Sequence, residues 1–151
     1  MDAEGAWVTA VVLEVPGRPV PKGRPRVYGG RAITPKRTRE YEATVAAECL
    51  RQRVTLPDGP LWVSIVARWS RPARRPAAVD AEAWATGERL PRPSTPDVDN
   101  IAKAILDGLQ RGPLDDDARV TRLEVRTVYA AQGEPCGVTV TIGRDELDGG
   151  A

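Results

Sequence analysis

The segment from residue 98 to residue 110 constrains the fold of this chain more than any other part of the sequence. Apolar side chains recur there at the spacing of one helical face, and an Arg-Gly-Pro sequence ends the pattern. The segment therefore predicts an amphipathic helix that buries one face against the rest of the protein. The apolar positions are Val98, Ile101, Ile105 and Leu109.

A second helix is expected from residue 35 to about residues 51–53. Thr34 would be its N-cap and Pro35 its first helical residue. One face of this helix would pack against the core. The residues expected on or beside that face are Tyr41, Val45, Cys49, Ala46 and Leu50.

Four segments rich in β-branched and apolar residues indicate strands: residues 7–15, 61–69, 120–130 and 137–142. The last two are expected to pair as a hairpin through residues 131–136. Together with two main helices on one face, they predict a single α+β (mixed α/β) domain over residues 1–143. Its sheet is expected to be mixed, with about four strands.

Three segments lack such periodicity. Residues 16–35 are rich in Pro, Gly and Arg and are expected to form a loop or a short irregular ribbon. Residues 70–94 are expected to be a mobile surface loop with a helical turn near residues 79–86. Trp84, in that loop, could equally be a surface contact or an anchor of the loop. Residues 144–151 form an acidic tail that we expect to be disordered.

The chain contains no histidine, and this excludes several classes of chemistry. Ser-His-Asp and Cys-His nucleophiles, HExxH zinc sites and histidine general bases are all ruled out. Cys49 and Cys136 lie far apart without CxxC spacing, which excludes a zinc ribbon and a disulfide scaffold. No apolar run approaches the ~18 residues that a membrane span requires, so we expect a cytoplasmic protein.

The formal net charge of +1 hides two segments of opposite charge. Residues 16–40 hold eight basic residues and one acidic residue, a net charge of +7. Residues 97–117 hold six aspartates against one lysine and one arginine, a net charge of −4. Such an asymmetry says more about binding partners than the total does.

The acidic segment begins with Thr-Pro-Asp-Val-Asp-Asn at the start of the predicted helix. Asp97 and Asp99 would lie at its positive end, and Asp99, Lys103 and Asp107 would share one face. Crowded carboxylates without His or Cys suit Mg²⁺ or Mn²⁺, which could activate water and neutralise a phosphate. An alternative is ordinary structure: an N-cap, an exposed i,i+4 ion pair and an acidic loop.

The sequence PDVDNIAKAILDGL followed by LDDDARV resembles the RusA family of Holliday junction resolvases, which carries D-x-D-N-x-x-K and later D-D-x-Q-V. The arginine- and proline-rich N-terminal segment is also similar to the opening of that family. The resemblance implies a RusA-like fold and a Mg²⁺-dependent endonuclease. It further implies a homodimer that nicks four-way DNA junctions in pairs.

The resemblance also assigns roles to individual residues. The metal-binding and catalytic carboxylates of the family correspond to Asp97, Asp99 and Asp117, its catalytic lysine to Lys103 and its supporting asparagine to Asn100. The family's glutamine is Arg119 here, and the third consecutive aspartate leaves Asp116 as an alternative to Asp117.

Two clusters of basic residues are expected to contact the phosphates of branched DNA, because an acidic site needs a positive surround to hold a polyanion. The alternative is that both clusters are simply solvated. The second cluster also contains Arg68. The candidate DNA-binding residues are Lys22, Arg24, Arg26, Arg31, Lys36, Arg71, Arg74 and Arg75.

The sequence thus predicts an Mg²⁺-dependent, structure-selective endodeoxyribonuclease that resolves Holliday junctions. The main alternative is a non-catalytic protein that binds branched DNA and holds a structural cation. A nucleotide-sugar transferase with a DxD motif is a weaker alternative, because the chain has no glycine-rich nucleotide loop.

Overall fold

The computed structural model describes residues 10–146. Its helices are α1 (Lys36–Arg51), α2 (Ala81–Ala85), α3 (Val98–Gln110) and a short 3-10 helix, η1 (Asp117–Arg119). Its strands are β1 (Val11–Pro16), β2 (Arg26–Tyr28), β3 (Arg31–Ile33), β4 (Leu61–Trp69), β5 (Leu90–Pro91), β6 (Val120–Tyr129) and β7 (Gly137–Arg144). Within the described residues, no helix has the length and apolar character needed to cross a membrane.

Five strands form one mixed sheet in the order β1–β7–β4–β6–β5, and β2 and β3 form a separate ribbon. The central strand β4 is parallel to β6 and antiparallel to β7. The prediction that β6 and β7 form a hairpin is therefore wrong. Because β4 pairs with both strands, residues 130–136 cross the end of β4 instead of making a turn between neighbours. The predicted α+β class and mixed sheet are confirmed.

One face of the sheet carries the core. The register aligns Leu13 of β1, Val140 of β7 and Ile65 of β4, and all three side chains are fully buried. Val45 of α1 and Ile105 of α3 belong to the same core, so both main helices cover this face, as predicted.

The two helices approach each other closely at Gly108. A Cβ atom added there would lie 2.6 Å from the Cβ of Val45, well inside van der Waals contact. Glycine is therefore the residue that lets α3 pack against α1 at this depth.

The predicted bounds of α3 and β4 agree with the structure. At the start of α1, Pro35 is the N-cap and Thr34 lies outside the helix. Leu50 is 82% exposed and Val98 is 46% exposed, so their predicted burial is wrong. Both lie in a terminal turn of their helix, where the neighbouring helix and the sheet no longer cover the surface. Residues 7–9 of the first predicted strand and 147–151 of the tail lie outside the described residues.

Residues 70–94 contain α2, which confirms the predicted helical turn. The Arg71 guanidinium donates hydrogen bonds to the carbonyl oxygens of Trp84, Glu88 and Ala130, at 2.9, 2.7 and 3.2 Å. It also lies 4.2 Å from the centre of the Trp84 ring, which meets Tyr129 edge to face. Trp84 is thus an anchor that ties this segment to the end of β6.

Candidate active site

The start of α3 presents two exposed carboxylates. Asp97 is the N-cap and has extended backbone angles, and Asp99 lies in the first turn. Pro96 therefore precedes the helix and does not start it. An N-cap aspartate ordinarily accepts a hydrogen bond from a first-turn amide, but the Asp97 side chain makes no such bond. Its carboxylate is free to act on something other than its own helix.

Asn100 and Lys103 follow on the same helix. Asn100 is half-buried, and its backbone carbonyl oxygen accepts a hydrogen bond from the backbone N–H of Lys22 at 2.9 Å. Lys103 is exposed, and no ion pair between Asp99 and Lys103 occurs in the described structure. The i,i+4 pair of the structural alternative is therefore not formed.

Asp107, on the predicted face, pairs with a residue of the basic segment. Its carboxylate lies 2.9 Å from the Nζ of Lys22, which is also 2.8 Å from Glu42. Burial opposes the charge of Lys22, but its hydrogen bonds to Glu42 and Asp107 outweigh that effect and raise its pKa. Glu42 also pairs with Arg111 at 3.0 Å, which completes a network of two cations and two anions. Lys22, a candidate DNA contact, thus serves as an internal link between the N-terminal segment, α1 and α3.

The three consecutive aspartates at residues 115–117 have three different environments. The Asp115 carboxylate accepts a hydrogen bond from Arg119 at 2.9 Å, and this bond lowers the pKa of Asp115. The Asp116 carboxylate caps η1 by accepting a bond from the Ala118 amide. Asp117 is exposed in the first turn of η1, and no hydrogen bond or ion pair of its side chain is found within residues 10–146.

The structure therefore sorts the six aspartates of the acidic segment into two groups. Three have partners within the chain: Asp107, Asp115 and Asp116. For the other three, the described part of the chain supplies neither a hydrogen bond nor an ion pair. They are Asp97, Asp99 and Asp117, the residues that the sequence resemblance assigns as metal ligands.

These three carboxylates do not form a ready-made metal site. Among residues 10–146, no three acidic or cysteine side chains lie close enough together to hold an ion. Asp97 and Asp99 lie at the start of α3, and Asp117 lies in η1, seven residues after the last residue of that helix. The donors fit Mg²⁺ or Mn²⁺ in chemistry, as exposed carboxylate oxygens, but they are not gathered at coordination distance.

The candidate DNA-binding residues differ in how available they are to a ligand. Four of the candidates in the N-terminal segment are exposed: Arg24 in the loop before β2, Arg26 and Arg31 on the β2–β3 ribbon, and Lys36 in the first turn of α1. Arg74 and Arg75 are also exposed, although Arg75 donates a hydrogen bond to the Val79 carbonyl at 2.5 Å. The Arg71 guanidinium already donates three hydrogen bonds to backbone carbonyl oxygens, as described above. The roles of all these residues in DNA binding stay predictions.

Arg68 differs from its neighbours. It is 4% exposed and donates to Glu14 at 2.6 Å and to Thr139 at 2.6 Å. The expectation that it faces DNA is therefore wrong, because its position in the central strand β4 places its guanidinium inside an ion pair. A basic residue predicted within a central strand is therefore a poor candidate for contact with DNA.

One arginine near the site was missed by sequence reasoning. The Arg92 guanidinium lies 4.2 Å from the centre of the Trp69 ring and donates a hydrogen bond to the Thr95 carbonyl at 2.9 Å, two residues before Asp97. Burial and the nearby Arg18 lower its pKa. Arg18 and Arg92 line a cavity of about 340 Å³ with Trp69 and other residues at the ends of β4 and β6. No local sequence pattern predicts this cavity, because the residues that line it come from four distant segments of the chain.

Cys49 is not a nucleophile. It is buried in the core, and burial raises its pKa to about 11. This agrees with its predicted role as a small apolar residue.

Two comparisons with known proteins complete the description of the chain. The sequence model of the family described as endodeoxyribonuclease RusA matches residues 16–143 of the 151 residues. A search of curated proteins finds no match. The matched range contains the basic segment, both main helices and the acidic residues discussed above.

Proposed function

This chain belongs to the RusA endodeoxyribonuclease family, and on that basis we propose that it is a Mg²⁺-dependent nuclease that resolves Holliday junctions by paired nicks. Membership of the family implies nuclease activity on branched DNA. RusA nucleases are generally dependent on divalent metal ions. The choice of Mg²⁺, with Mn²⁺ as a substitute, rests on the oxygen donors of this chain.

The observation that carries the proposal is the division of the six aspartates. The chain satisfies three of them with its own donors and leaves Asp97, Asp99 and Asp117 exposed without one. These three are also the aspartates that correspond to the metal ligands of the matched family, and the two observations together support a role toward a cation. We assign Asp97, Asp99 and Asp117 as metal ligands, and we prefer Asp117 to Asp116 because Asp116 already caps η1.

The remaining roles follow from position. The hydrogen bond between the Lys22 amide and the Asn100 carbonyl fixes the basic N-terminal segment beside the acidic start of α3. Phosphates bound by Arg24, Arg26, Arg31 and Lys36 would thereby be held near Asp97 and Asp99. Lys103, exposed on the same helix, would stabilise negative charge on the phosphate that is attacked. A divalent ion at this site would supply a hydroxide at neutral pH and neutralise charge on the phosphate.

We also propose a homodimer and a cytoplasmic location. A four-way junction has two-fold symmetry, and a two-fold protein would present equivalent sites to both strands that are cut. Both cysteines are free thiols in the structure, which suits a reducing compartment.

The test is a nicking assay on a synthetic four-way junction with Mg²⁺. Wild-type protein is expected to nick it, and Asp99→Asn is expected to abolish nicking while metal-free junction affinity stays within twofold. Asp58→Asn, an exposed aspartate in the turn before β4, is the matched control and should nick as wild type does.

The main alternative is a non-catalytic protein that binds branched DNA. One observation favours it: no three acidic side chains are gathered within the described residues. If wild-type protein binds the junction but leaves it uncut with both Mg²⁺ and Mn²⁺, the nuclease proposal fails and this alternative holds.

A further inference from the structure

The β2–β3 ribbon exposes apolar side chains that the core does not use. Val27 is 70% exposed, Tyr28 57% and Ile33 42%, although all three are of a size that is normally buried. The ribbon turns through Gly29 and Gly30, which both have positive φ values, as a two-residue hairpin turn requires. A short ribbon that holds apolar groups in solvent is typical of a binding element.

The register of the ribbon divides its side chains between two faces. Tyr28 pairs with Arg31, and Arg26 pairs with Ile33, so these four residues share one face. Between this face and the start of α1 lies a groove of about 380 Å³. Tyr28 and Ile33 form its apolar strip. Its cations are Arg26, Lys36, Arg37 and Arg39, and no acidic residue lines it.

The positive charge of this groove determines which kind of ligand can bind in it. A second copy bound here in a two-fold contact would bring the same cations face to face, and like charges at an interface repel. The start of α1 adds to the positive potential, because its first turn contains no acidic residue and Pro35 offers no side-chain cap. A ligand that fits must therefore combine negative charge with a flat apolar surface.

A nucleotide of a DNA strand has both properties. We propose that the groove holds one unpaired nucleotide, with its base stacked on Tyr28 and its flanking phosphates among Arg26, Lys36 and Arg37. Base–aromatic stacking beside a basic groove is a general mode of single-strand recognition. The inference rests on the proposed function in one respect: the opened centre of a four-way junction would supply the unpaired nucleotide.

The experiment measures binding of a labelled oligothymidylate by fluorescence anisotropy without metal, so it needs no cleavage. Tyr28→Ala is expected to weaken binding about 5- to 140-fold, the range that corresponds to loss of one stacked base. Tyr28→Phe keeps the ring and should bind within twofold of wild type. Tyr28→Leu keeps apolar area and the ribbon but loses the aromatic face, so it should bind as weakly as Tyr28→Ala.

Val12→Ala is the matched control, because Val12 is also 57% exposed but lies on the edge strand β1. The proposal is overturned if Tyr28→Ala binds the oligothymidylate as Val12→Ala does, or if Tyr28→Leu restores the affinity. It is equally overturned if Tyr28→Ala changes the oligomeric state in sedimentation and leaves DNA affinity unchanged. A wild-type protein that binds through Tyr28 but never nicks a junction would refute the proposed function and leave this inference standing.

Discussion

Glu42 is the buried centre of the network that joins the N-terminal segment to both main helices, and its charge can be removed without changing its shape. It is 3% exposed, with one carboxylate oxygen 2.8 Å from Lys22 and the other 3.0 Å from Arg111. In Glu42→Gln, both cations lose a counter-charge, while Lys22 keeps Asp107.

The size of the effect follows from the exposure of the partners. Removal of one partner from a fully buried ion pair costs about 3–5 kcal/mol. Lys22 and Arg111 have side chains that are 21% and 45% exposed, so water can partly replace the lost charge. We therefore expect Glu42→Gln to lower the free energy of unfolding by about 2–3 kcal/mol.

The assay is urea denaturation at pH 7, with Glu40→Gln as the matched control. Glu40 lies on the same helix, but its pair with Lys36 is 3.9 Å long and exposed, so its loss should change stability by less than about 0.5 kcal/mol. The raised pKa of Lys22 means that its stabilising charge is present below its ordinary value of 10.5 and lost only above it, so pH 7 tests the intact network. Equal stability of the two variants would refute this account of the network.

Three further predictions concern other parts of the molecule. Gly108→Ala should lower the free energy of unfolding by about 1–3 kcal/mol because its methyl group meets the facing helix, whereas Gly112→Ala, with its nearest neighbour at 3.6 Å, should change it by less than about 1 kcal/mol. Glu134 has a pKa lowered to about 2, chiefly by its hydrogen bond to an arginine, so its stabilising charge is lost as pH falls from about 4.5 to 2. The melting temperature of Glu134→Gln should therefore approach that of wild type as the pH falls through this range. Asp117→Asn should abolish Mg²⁺-dependent junction nicking and Asp116→Asn should retain it, and the reverse result would move the third ligand to Asp116.

Periodic segments were predictable from the sequence because their signal is local. The bounds of α3 follow from its apolar spacing and its Arg-Gly-Pro end, and the bounds of β4 follow from a β-branched run after Asp-Gly-Pro. Strand order was not predictable in the same way. β7 has the pattern of a hairpin partner for β6, but it pairs with β4, a choice made by packing between segments about 75 residues apart.

In the candidate site, too, the features with a local sequence signal were predictable and those that depend on distant contacts were not. The placement of Asp97 and Asp99 at the start of a helix could be predicted from proline and helix-capping preferences. The pairing of Asp107 with Lys22 could not, because it depends on how a loop 85 residues earlier in the chain crosses α3. The groove at Tyr28 was missed for a related reason: the ribbon reads as a proline- and glycine-rich loop until its register is known.

The pairing pattern bears on part of the ordinary structural interpretation of the acidic segment. A side-chain N-cap and an i,i+4 pair would each leave a carboxylate bonded to its own helix. Asp116 meets that description, but Asp97 occupies an N-cap position without bonding the helix, and Asp99 forms no pair with Lys103 in the described structure. The carboxylates of Asp97 and Asp99 at this helix start would repel a bound anion. Under the proposed function, a cation held by these carboxylates would offset their mutual repulsion, and the basic segment, fixed beside Asn100 through the Lys22 amide, would bring a phosphate to it.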